Sequence, residues 1–496
     1  MAKRVCRYVC AFIFLIIGLA LIFLSLFLLP VLRDAFVNKS LHSDAVLKEG
    51  SVAFKEWKSP GSAVYYVISV YNVTNADNVM NTKAKPNVTE LGPYYYREHK
   101  NKTNVTFTDN GKVVKYKLHD MYVFDRTKTA SHLDPDKDLI TCLNVPYMAV
   151  VDQYIKGKLN YVELLGLKAL AKDPSVFIKH TVTELVWGYQ DSLTEFLHKD
   201  NKLPSSTFGL FANDSSADWT SYSSVRTGID DLNSVGQFVS WRGKNSLSYW
   251  NGTYANMING TDGTFFHPHL HNQEDVVVFV DSLYRSTNLT HQANVSQYSI
   301  SLYRYVIPKW ELQNRTVYSA NSMWYANWFW GLLNLSAPLS APVFMSKPHF
   351  LDADPEFLTN VTGMKNPEAE QDDTMMDAEP LTGFVFNVHK RLQVNVRLQQ
   401  HSTTLNALGV SNVRDTLVPV AYIDQTASAN KTTCDEFRDK VYKPIEIVND
   451  VRWGLVGLGG AMTAVSVILL GYWMFRSRKR GYEPLSSLPR LSTQDV

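Results

Sequence analysis

Two long apolar segments lie at opposite ends of this 496-residue chain, at residues 9–32 and 453–475. Each exceeds the about 20 apolar residues that a helix needs to cross the hydrocarbon core of a bilayer. Lysine and arginine residues flank the outer end of each segment, and such basic flanks remain on the cytosolic side. We therefore expect two membrane-spanning helices, cytosolic ends at residues 1–8 and 476–496, and one ectodomain at residues 33–452.

Each apolar segment has one alternative role. The first could be a signal peptide that is removed, but its apolar stretch is longer than the about 7–15 residues of a signal core and no small-residue cleavage site follows it. Retention as an anchor is therefore preferred. In the second segment, the spacing of Gly457 with Ala461 and of Gly460 with Ala464 permits close packing against the first helix, or against another copy in a homodimer.

Glycosylation sites test this topology independently. The Asn-X-Ser/Thr sequence occurs fourteen times, always between the two apolar segments. Because this sequence marks surface loops of secreted chains, its distribution favours an ectodomain outside the cytosol. The asparagines are Asn38, Asn72, Asn87, Asn101, Asn104, Asn213, Asn251, Asn259, Asn288, Asn294, Asn314, Asn334, Asn360 and Asn430.

The net charge and the cysteine content limit the partners and the covalent modifications that we expect. The net charge is +2 and no long basic stretch occurs, so nucleic acid is not an expected partner. Cys6 and Cys10 lie at the cytosolic end of the first segment, where thiols can be palmitoylated or can simply fill an apolar helix. Cys142 and Cys434 are the only ectodomain cysteines, so at most one intramolecular disulfide could form there; their geometry is open.

Most of the ectodomain has the β-branched and aromatic residues that strands prefer. Asn110-Gly111 supplies the positive φ angles of a tight type I′ turn, which predicts a hairpin over residues 102–118. The predicted strands cover residues 64–71, 102–107, 112–118, 276–280, 384–388 and 392–398.

A helical insert at about residues 147–199 interrupts this pattern. Residues 161–172 form one predicted helix. A second is predicted at residues 182–197, because Thr181 and Glu184 have the spacing of a capping box and the apolar residues after them keep a 3.6-residue period. We expect the insert to pack across the mouth of a barrel or to project as a recognition surface.

Seven short motifs lie in order along the ectodomain. They are Val70-Tyr-Asn-Val-Thr-Asn75, Glu90-Leu-Gly-Pro-Tyr94, Thr181-Val-Thr-Glu-Leu-Val-Trp-Gly-Tyr189, Ile258-Asn-Gly-Thr-Asp-Gly263, Ser346-Lys-Pro-His-Phe350, Glu379-Pro-Leu-Thr-Gly383 and Lys390-Arg-Leu-Gln-Val-Asn-Val396. Together they resemble the class B scavenger receptor family. Within that family, the resemblance is to the kind of member represented by lysosomal integral membrane protein type 2. One motif would mean little, but seven in register between two membrane segments are specific.

The resemblance implies an α+β fold with a large, irregular antiparallel β-barrel ectodomain and a helical-bundle cap far from the membrane. It also implies an internal lipid tunnel that leads toward the bilayer. In this family the tunnel carries cholesterol, fatty acids or phospholipids. The cap of the family receives lipids, lipoproteins or, in the lysosomal member, an acid hydrolase.

The chain departs from the family pattern in one region. It has no cysteine between Cys142 and Cys434, and an aromatic segment stands at residues 323–330. We expect large buried rings to replace the missing crosslinks there. The alternative is an exposed aromatic patch that contacts lipid.

The cap carries the candidate ligand-binding residues. Its apolar residues could meet acyl chains and its basic residues anionic head groups, although the former could equally form a helix core and the latter its solvated face. His180 and His198 flank the second predicted helix, so release of a protein cargo at acidic pH is a further hypothesis. The candidates are Leu164, Leu165, Leu167, Lys168, Lys172, Phe177, Lys179 and His180.

No motif indicates an enzyme or a cofactor, since Gly-X-Ser-X-Gly, His-Glu-X-X-His and P-loop patterns do not occur. His267, His269 and His271 alternate as strand ligands would, but Pro268 argues against a regular strand and no metal is expected. The acidic residues of the stretch 368–379 lack calcium-loop spacing and are interpreted as a solvated loop.

The C-terminal tail contains the sharpest short motif. Gly481, Tyr482 and Leu485 have the Gly-Tyr-X-X-apolar form that resembles tyrosine-based sorting signals, which cytosolic adaptors read. The leading hypothesis is a lysosomal or endosomal membrane glycoprotein that binds lipid and transfers it through the ectodomain to the membrane. The alternatives are a receptor that delivers a lumenal hydrolase to lysosomes and a scavenger or adhesion receptor of the plasma membrane.

Overall fold

The computed structural model describes residues 2–170, 175–199, 206–212, 221–324, 329–402 and 408–481. The chain divides into two compact units. One combines Met1–Leu41 with Thr432–Val496, and the other is the ectodomain, His42–Lys431.

The helices are numbered in chain order. They are α1 (Ala2–Phe23), α2 (Leu29–Ala45), α3 (Val52–Lys58), α4 (Ala76–Thr82), α5 (Val145–Ile155), α6 (Tyr161–Leu170), α7 (Val182–Trp187), α8 (Ser192–Lys199), α9 (Ser336–Leu339), α10 (Pro355–Thr359), α11 (Ala369–Asp372), α12 (Lys431–Phe437) and α13 (Lys443–Gly481). Short 3₁₀ turns lie at Asp109–Gly111, Leu232–Ser234, Tyr254–Asn256, Asp281–Leu283, Lys309–Leu312, Ser319–Met323 and Pro348–Phe350.

All of the described strands lie in the ectodomain, most of them between α4 and α5 and between α8 and α12. They are β1 (Val64–Val73), β2 (Val88–Thr108), β3 (Val113–Phe124), β4 (Leu139–Leu143), β5 (Phe177–Thr181), β6 (Tyr189–Gln190), β7 (Thr207–Phe208), β8 (Ser223–Arg226), β9 (Phe238–Ser240), β10 (Val276–Val280), β11 (Arg285–Gln297), β12 (Ile300–Val306), β13 (Leu333–Asn334), β14 (Val343–Ser346), β15 (Met375–Ala378), β16 (Val385–Leu398) and β17 (Thr416–Ser428).

The terminal unit contains both apolar segments in long helices. A π-helical turn at Leu24–Leu28 joins α1 to α2, and another at Arg438–Tyr442 joins α12 to α13. The resulting helical stretches, Val5–Ala45 and Lys431–Arg478, are long and apolar enough to cross a membrane. The first helix therefore continues well beyond the predicted end at residue 32.

The two terminal helices pack against each other in antiparallel order. A Cβ added to Gly18 would lie 2.8 Å from the carbonyl oxygen of Gly459 and 2.6 Å from Thr463 Oγ1. Tyr8 and Trp473 meet edge to face with ring centroids 5.5 Å apart. The expected small-residue contact thus joins the chain's own helices. It uses Gly459, while Gly457 and Gly460 face open space.

Thirteen strands form one antiparallel sheet within the described residues. Their order is β10-β11-β12-β15-β16-β17-β1-β2-β3-β8-β9, with β13 and β14 attached beside β16. The pairs β4–β5 and β6–β7 form two small separate sheets.

The motif around Gly260 nearly closes this sheet into a barrel. The Phe238 amide, on β9, donates to the Gly260 carbonyl at 2.9 Å, and the Phe279 amide, on β10, donates to the Thr261 carbonyl at 2.9 Å. Residues 260–261 therefore bridge the two ends of the strand order. This confirms the expected antiparallel barrel, while the tunnel stays a prediction.

Two apolar clusters fill the inner side of the barrel. The larger includes Ile68, Tyr94, Tyr96, Leu392 and Ile423. The smaller includes Leu47, Trp57, Val114, Tyr116 and Phe265.

The predicted hairpin forms from β2 and β3, but its turn is wider than expected. Thr108 pairs with Val113, so four residues form the loop instead of the two of a type I′ turn. Asp109, Asn110 and Gly111 all have positive φ angles. The predicted strand at residues 276–280 is confirmed as β10, and the two predicted at 384–398 are one strand, β16.

We predict that Gly260→Ala destabilises the ectodomain. Gly260 has φ +86°, and an added Cβ would lie 2.2 Å from the Val277 carbonyl oxygen, so the closure must shift or strain, by about 2–4 kcal/mol. Thermal unfolding of the purified protein measures the effect. Gly157→Ala is the matched control, because Gly157 has φ +71° but no atom within 4 Å of the added Cβ. Equal melting temperatures for the two variants would contradict the prediction.

Candidate functional site

A hairpin and four helices form the predicted cap. Strand β4 pairs with β5, and α5, α6 and α8 pack on one another. Helix α5 was not predicted, although its start has two local signals: Asn144 Oδ1 accepts from the Tyr147 amide at 3.1 Å, and Pro146 occupies the first turn.

The capping box at Thr181 is confirmed, but the long helix predicted after it is wrong. Thr181 Oγ1 accepts from the Glu184 amide at 3.2 Å, and Glu184 Oε2 accepts from the Thr181 amide at 3.0 Å. Helix α7 ends at Trp187, because Gly188 adopts φ +128°. The chain then forms the short strand β6, and Asp191 starts α8 by accepting from the Leu193 and Thr194 amides at 3.0 Å.

The predicted ligand-binding residues divide between the core and the surface. The buried residues Leu164, Leu167 and Phe177 belong to the larger apolar cluster. Leu165 keeps 43% of its surface exposed. The basic candidates behave differently, as Lys168 is half-buried and Lys179 exposed.

His180 and Lys172 complete the candidate set. The His180 ring stacks on Tyr189 with centroids 3.8 Å apart. His180 Nδ1 lies 3.2 Å from Glu184 Oε2. Lys172 lies outside the described residues, and His198 is exposed at the end of α8.

One side of α6 exposes apolar side chains that the sequence argument partly missed. Val162 is 78% exposed and Leu170 is 45% exposed, beside Leu165. We call Val162, Leu165 and Leu170 the α6 face. Their spacing of three and eight residues places them on the side opposite Leu164 and Leu167, which is the signal that could have identified them. Contiguous exposed apolar residues of this kind mark contact surfaces.

A small aromatic cleft lies at the base of the cap. Trp187 of α7 stacks on Tyr122 of β3 with centroids 5.0 Å apart, and Tyr96 meets the same indole edge to face at 5.0 Å. The cleft has a volume of about 280 Å³, slightly below the usual size of a small-molecule site. Its lining residues are Tyr96, Met121, Tyr122, Phe124, Pro135, Asp136, Thr183 and Trp187.

Four of the seven motifs meet in one buried polar network. The Tyr71 hydroxyl donates to Gln393 Oε1 at 3.1 Å, and the His349 amide donates to the same oxygen at 2.8 Å. His349 Nε2 lies 3.3 Å from Glu90 Oε2, and its Nδ1 lies 2.8 Å from Asp372 Oδ1. These contacts tie together strands β1, β2 and β16 and the turn at Pro348–Phe350.

The network fixes the ionisation of its members. Burial alone would lower the pKa of His349, but the carboxylates of Asp372 and Glu90 outweigh it and raise the pKa to about 9. Burial would raise the pKa of Glu90, but hydrogen bonds from His349, Lys365 and Tyr422 lower it to about 2. Both groups are therefore charged across the pH range of cell surface, endosome and lysosome.

The interpretation of residues 368–379 as a solvated loop fits the exposed Glu368 and Glu370 but is wrong for three other acidic residues. Asp372, Asp377 and Glu379 are all buried. Besides the His349 contact, Arg304 Nε and Nη2 donate to the two carboxylate oxygens of Asp377 at 2.7 and 2.8 Å. Glu379 accepts from the Leu381 and Thr382 amides at 3.0 and 2.8 Å. Asp372 and Asp377 thus pair with cationic side chains from distant parts of the sequence. Glu379 accepts hydrogen bonds from amides of the following turn.

The glycosylation asparagines differ in exposure. Asn314 is buried and its Oδ1 accepts from the Thr316 and Val317 amides at 3.1 and 3.0 Å, which disfavours a glycan there. Asn213 lies outside the described residues. The exposed sites are Asn38, Asn104, Asn251, Asn294 and Asn430, and the half-buried sites are Asn72, Asn87, Asn101, Asn259, Asn288, Asn334 and Asn360.

The four cysteines, all of them described, form no disulfide. Cys142 lies on β4 in the core of the ectodomain, where burial raises the pKa of its thiol to about 12. Cys434 lies on α12, which belongs to the terminal unit. Both thiols are free and buried, so the disulfide considered for this pair is not formed. Cys6 and Cys10 are exposed.

The alternating histidines lie in a loop before β10. His267 Nε2 contacts Glu274 Oε1 at 2.9 Å, a carboxylate partner that the sequence did not reveal. His269 has a positive φ angle, so these residues do not form a regular strand. Among the described residues no group of three or more His, Cys, Asp or Glu side chains could hold a metal ion.

Within the described part of the aromatic segment, Trp324 packs inward and is half-buried. Trp324 lies against the larger apolar cluster, and the guanidinium carbon of Arg285 sits 4.2 Å from its ring centroid. Arg285 forms a buried ion pair with Glu311. Phe329 is exposed, and residues 325–328 lie outside the described residues. Burial of rings is therefore seen at Trp324.

Comparison with known proteins gives consistent matches. A family model described as the CD36 family matches residues 15–470. Lysosome membrane protein 2 of Homo sapiens is 32% identical over 426 residues, covering 85% of this chain and 87% of the relative. Scavenger receptor class B member 1 of Cricetulus griseus is 27% identical over 466 residues, covering 91% of this chain and 88% of the relative. The family model spans the whole ectodomain.

We predict that His349→Gln destabilises the protein most at acidic and neutral pH. Because the folded pKa of about 9 lies above the ordinary 6.5, the stabilisation is complete below pH 6.5 and is lost as pH rises through 9. The difference in unfolding free energy from the wild type should be on the order of 3 kcal/mol at pH 6. Chemical denaturation at pH 6, 7.5 and 9 measures it. His132→Gln, at an exposed position, is the control, and a pH-independent difference would contradict the prediction.

Proposed function

The chain belongs to the CD36 family, and on that premise we propose that it is a lysosomal or endosomal membrane glycoprotein of the scavenger-receptor type that binds lipids and transfers them to the bilayer. Cholesterol, fatty acids and phospholipids are the proposed lipid classes. The family and the named relatives support a receptor-type membrane protein without a catalytic role.

The α6 face is the observation that carries this proposal. Val162, Leu165 and Leu170 expose apolar side chains to solvent on helix α6. Covering such surface with an acyl chain or a sterol is favourable by about 0.8 kcal/mol for each buried methylene. Exposed Lys179 and half-buried Lys168 lie in the same cap and could attract anionic head groups. The face is therefore suited to first capture of an amphiphile.

The barrel is the proposed route of transfer. Its inner side presents the larger apolar cluster, which includes Tyr94, Tyr96 and Leu392. The cap adds Leu164 and Leu167 to the same cluster, so apolar side chains are continuous from cap to barrel. A lipid that moves along such walls would stay out of water during transfer.

A protein partner is the second candidate for the α6 face. An exposed apolar stripe on a helix can also dock a partner protein, and one named relative is a lysosome membrane protein. A lumenal hydrolase as cargo would use the same residues. The two functions predict different effects of the same variants on lipid content.

Lysosomal placement is proposed from the C-terminal tail. Helix α13 ends at Gly481, so Tyr482 and Leu485 of the sorting motif follow it directly, although they lie outside the described residues. Basic residues at the ends of both helices favour cytosolic termini, where adaptors could read the motif. Transit through the plasma membrane is compatible with this route.

We predict that the double variant Val162→Ser/Leu165→Ser slows lipid uptake several-fold without changing the melting temperature. Full-length protein in detergent is stripped of lipid, mixed with cholesterol or phospholipid vesicles, and its lipid content is followed by mass spectrometry. Val317→Ser is the control, because Val317 is 70% exposed and lies outside the cap. Wild-type protein that neither retains nor acquires lipid would refute the proposed function. Unchanged uptake with lost binding of a lumenal hydrolase would favour the second candidate.

We predict that Tyr482→Ala moves the protein from lysosomes and endosomes to the cell surface. The tyrosine is the central residue of the proposed sorting motif, so its loss should remove adaptor recognition. Surface biotinylation and microscopy measure the distribution. Ser487→Ala, in the same tail, is the matched control. An unchanged vesicular location of the tyrosine variant would exclude the motif as the sorting signal.

A further inference from the structure

A row of polar side chains crosses the inner side of the barrel. Along β2, alternate residues share one face, so Glu98 and Lys100 point inward with the buried Tyr94 and Tyr96. Neighbouring strands add further polar residues at the same level. We call the set the inner belt; it consists of Glu98, Lys100, Asp120, Asp281, Lys390 and Gln425.

Strand register and contacts hold the inner belt together. Asp120 of β3 lies opposite Lys100, and Gln425 of β17 lies opposite Lys390 of β16. Gln425 Nε2 donates to Glu98 Oε2 at 2.7 Å. Lys100 Nζ lies 3.4 Å from Glu98 Oε1, and Lys390 Nζ lies 3.6 Å from Asp281 Oδ1.

The inner belt separates the two apolar clusters. On one side along β2 it adjoins Tyr96 of the larger cluster. On the other side Lys102 Nζ lies 4.8 and 5.5 Å from the ring centroids of Trp57 and Tyr116, which belong to the smaller cluster. A lipid that fills the barrel would therefore have polar groups of the protein within reach partway along its apolar body.

Two carboxylate oxygens of the inner belt accept no well-formed hydrogen bond from the described residues, although Lys100 Nζ lies 3.4 Å from one of them. These atoms are Glu98 Oε1 and Asp120 Oδ1. Both residues are buried, each with 6% of its surface accessible, so each unfilled acceptor destabilises the fold. The cations and carboxylates beside them are more open, since the side chains of Lys100 and Asp281 are 30% and 43% accessible. Part of the belt is thus accessible to a small polar group.

The positive and negative charges near the belt already balance. The group that the two carboxylate oxygens lack is therefore a hydrogen-bond donor and not a cation. Glu98, Asp120 and Asp281 face Lys100 and Lys390. Burial would raise the pKa of Asp281, but Lys390, Lys100 and Arg242 lower it, which places a third cation near the belt. An anionic head group would disturb this balance. A hydroxyl group fits it, because it can donate to a carboxylate and accept from an ammonium at once.

We propose that the inner belt binds the hydroxyl head group of a neutral lipid, a sterol or a monoacylglycerol, with Asp120 and Glu98 as acceptors and Lys100 as donor. The inference rests on the proposed function, since it requires lipid inside the barrel. It adds a preference: hydroxyl-bearing lipids bind more tightly than free fatty acids and more tightly than hydrocarbons of the same shape.

The ionisation of Asp120 supports this role. Burial raises its pKa to about 6, reinforced by Glu98 and Asp281 and opposed by Lys100 and Lys102. Above pH 6 the group is a charged, strong acceptor, and below pH 6 it is protonated. Binding of the hydroxyl is therefore expected to weaken between neutral and lysosomal pH.

Competition binding to the full-length protein in detergent tests the proposal. Bound radiolabelled cholesterol is displaced at pH 7.5 by cholesterol, monooleoylglycerol, palmitic acid or cholestane, which has the sterol skeleton without the hydroxyl. Cholestane and palmitic acid should compete at least about tenfold more weakly than cholesterol, the loss expected for a hydrogen bond to a charged group. Monooleoylglycerol distinguishes a general hydroxyl site from a sterol site.

Variants of the belt give the matching result. Asp120→Leu removes the acceptor, and cholesterol affinity should fall about tenfold, toward that of cholestane, while cholestane affinity stays the same. Asp120→Asn keeps the shape and one oxygen, so an intermediate affinity is expected even if the leucine variant does not fold. Asp77→Asn, an exposed carboxylate on α4, should have no effect.

The outcomes separate this inference from the proposed function. If the wild type binds lipid but cholestane or palmitic acid competes as well as cholesterol, the inner belt holds only water and the inference is overturned. Unchanged cholesterol affinity in both Asp120 variants overturns it as well. If the wild type binds none of the four lipids, the proposed function itself fails.

Discussion

The ectodomain depends on the antiparallel pairing of its first strand with its last. Val64 lies opposite Ala427 and Val70 opposite Ala421, so residues near the two ends of the ectodomain are neighbours in one sheet. Every other strand of the barrel extends outward from this pair. Because contacts between such distant residues close a very long loop, they gain stability only when the intervening strands also pair. The bridge at Gly260, which joins the outermost strands, completes that arrangement.

Features with a local physical cause could be predicted from the sequence. The capping box at Thr181 and the β2–β3 hairpin depend on neighbouring residues, and both were recognised. The long helix predicted after Thr181 was wrong, because Gly188 takes a backbone conformation that ends α7. The barrel itself followed from the resemblance, since no local pattern shows which strands pair.

Buried charge could not be predicted, because the partners of a charged residue are distant in the sequence. Asp377 and Asp372 read as parts of a solvated loop until Arg304 and His349 are placed beside them. The same applies to the inner belt, to which β2, β3, β16 and β17 all contribute polar residues. The sequence also could not show which candidate residues of the cap are buried and which are exposed. The helical period indicates that α6 has two apolar sides, but it does not indicate which side packs on the core.

The contact between Gly18 and Gly459 determines which face of α13 packs against α1. It joins the two terminal helices of one chain so closely that side chains larger than hydrogen cannot fit there. Gly457 and Gly460 lie on another side of α13 and meet no atom within 4 Å. The face of α13 that carries Gly457 and Gly460 is therefore not covered by the described part of the chain. The packing of the two helices within the chain therefore does not depend on Gly457 or Gly460.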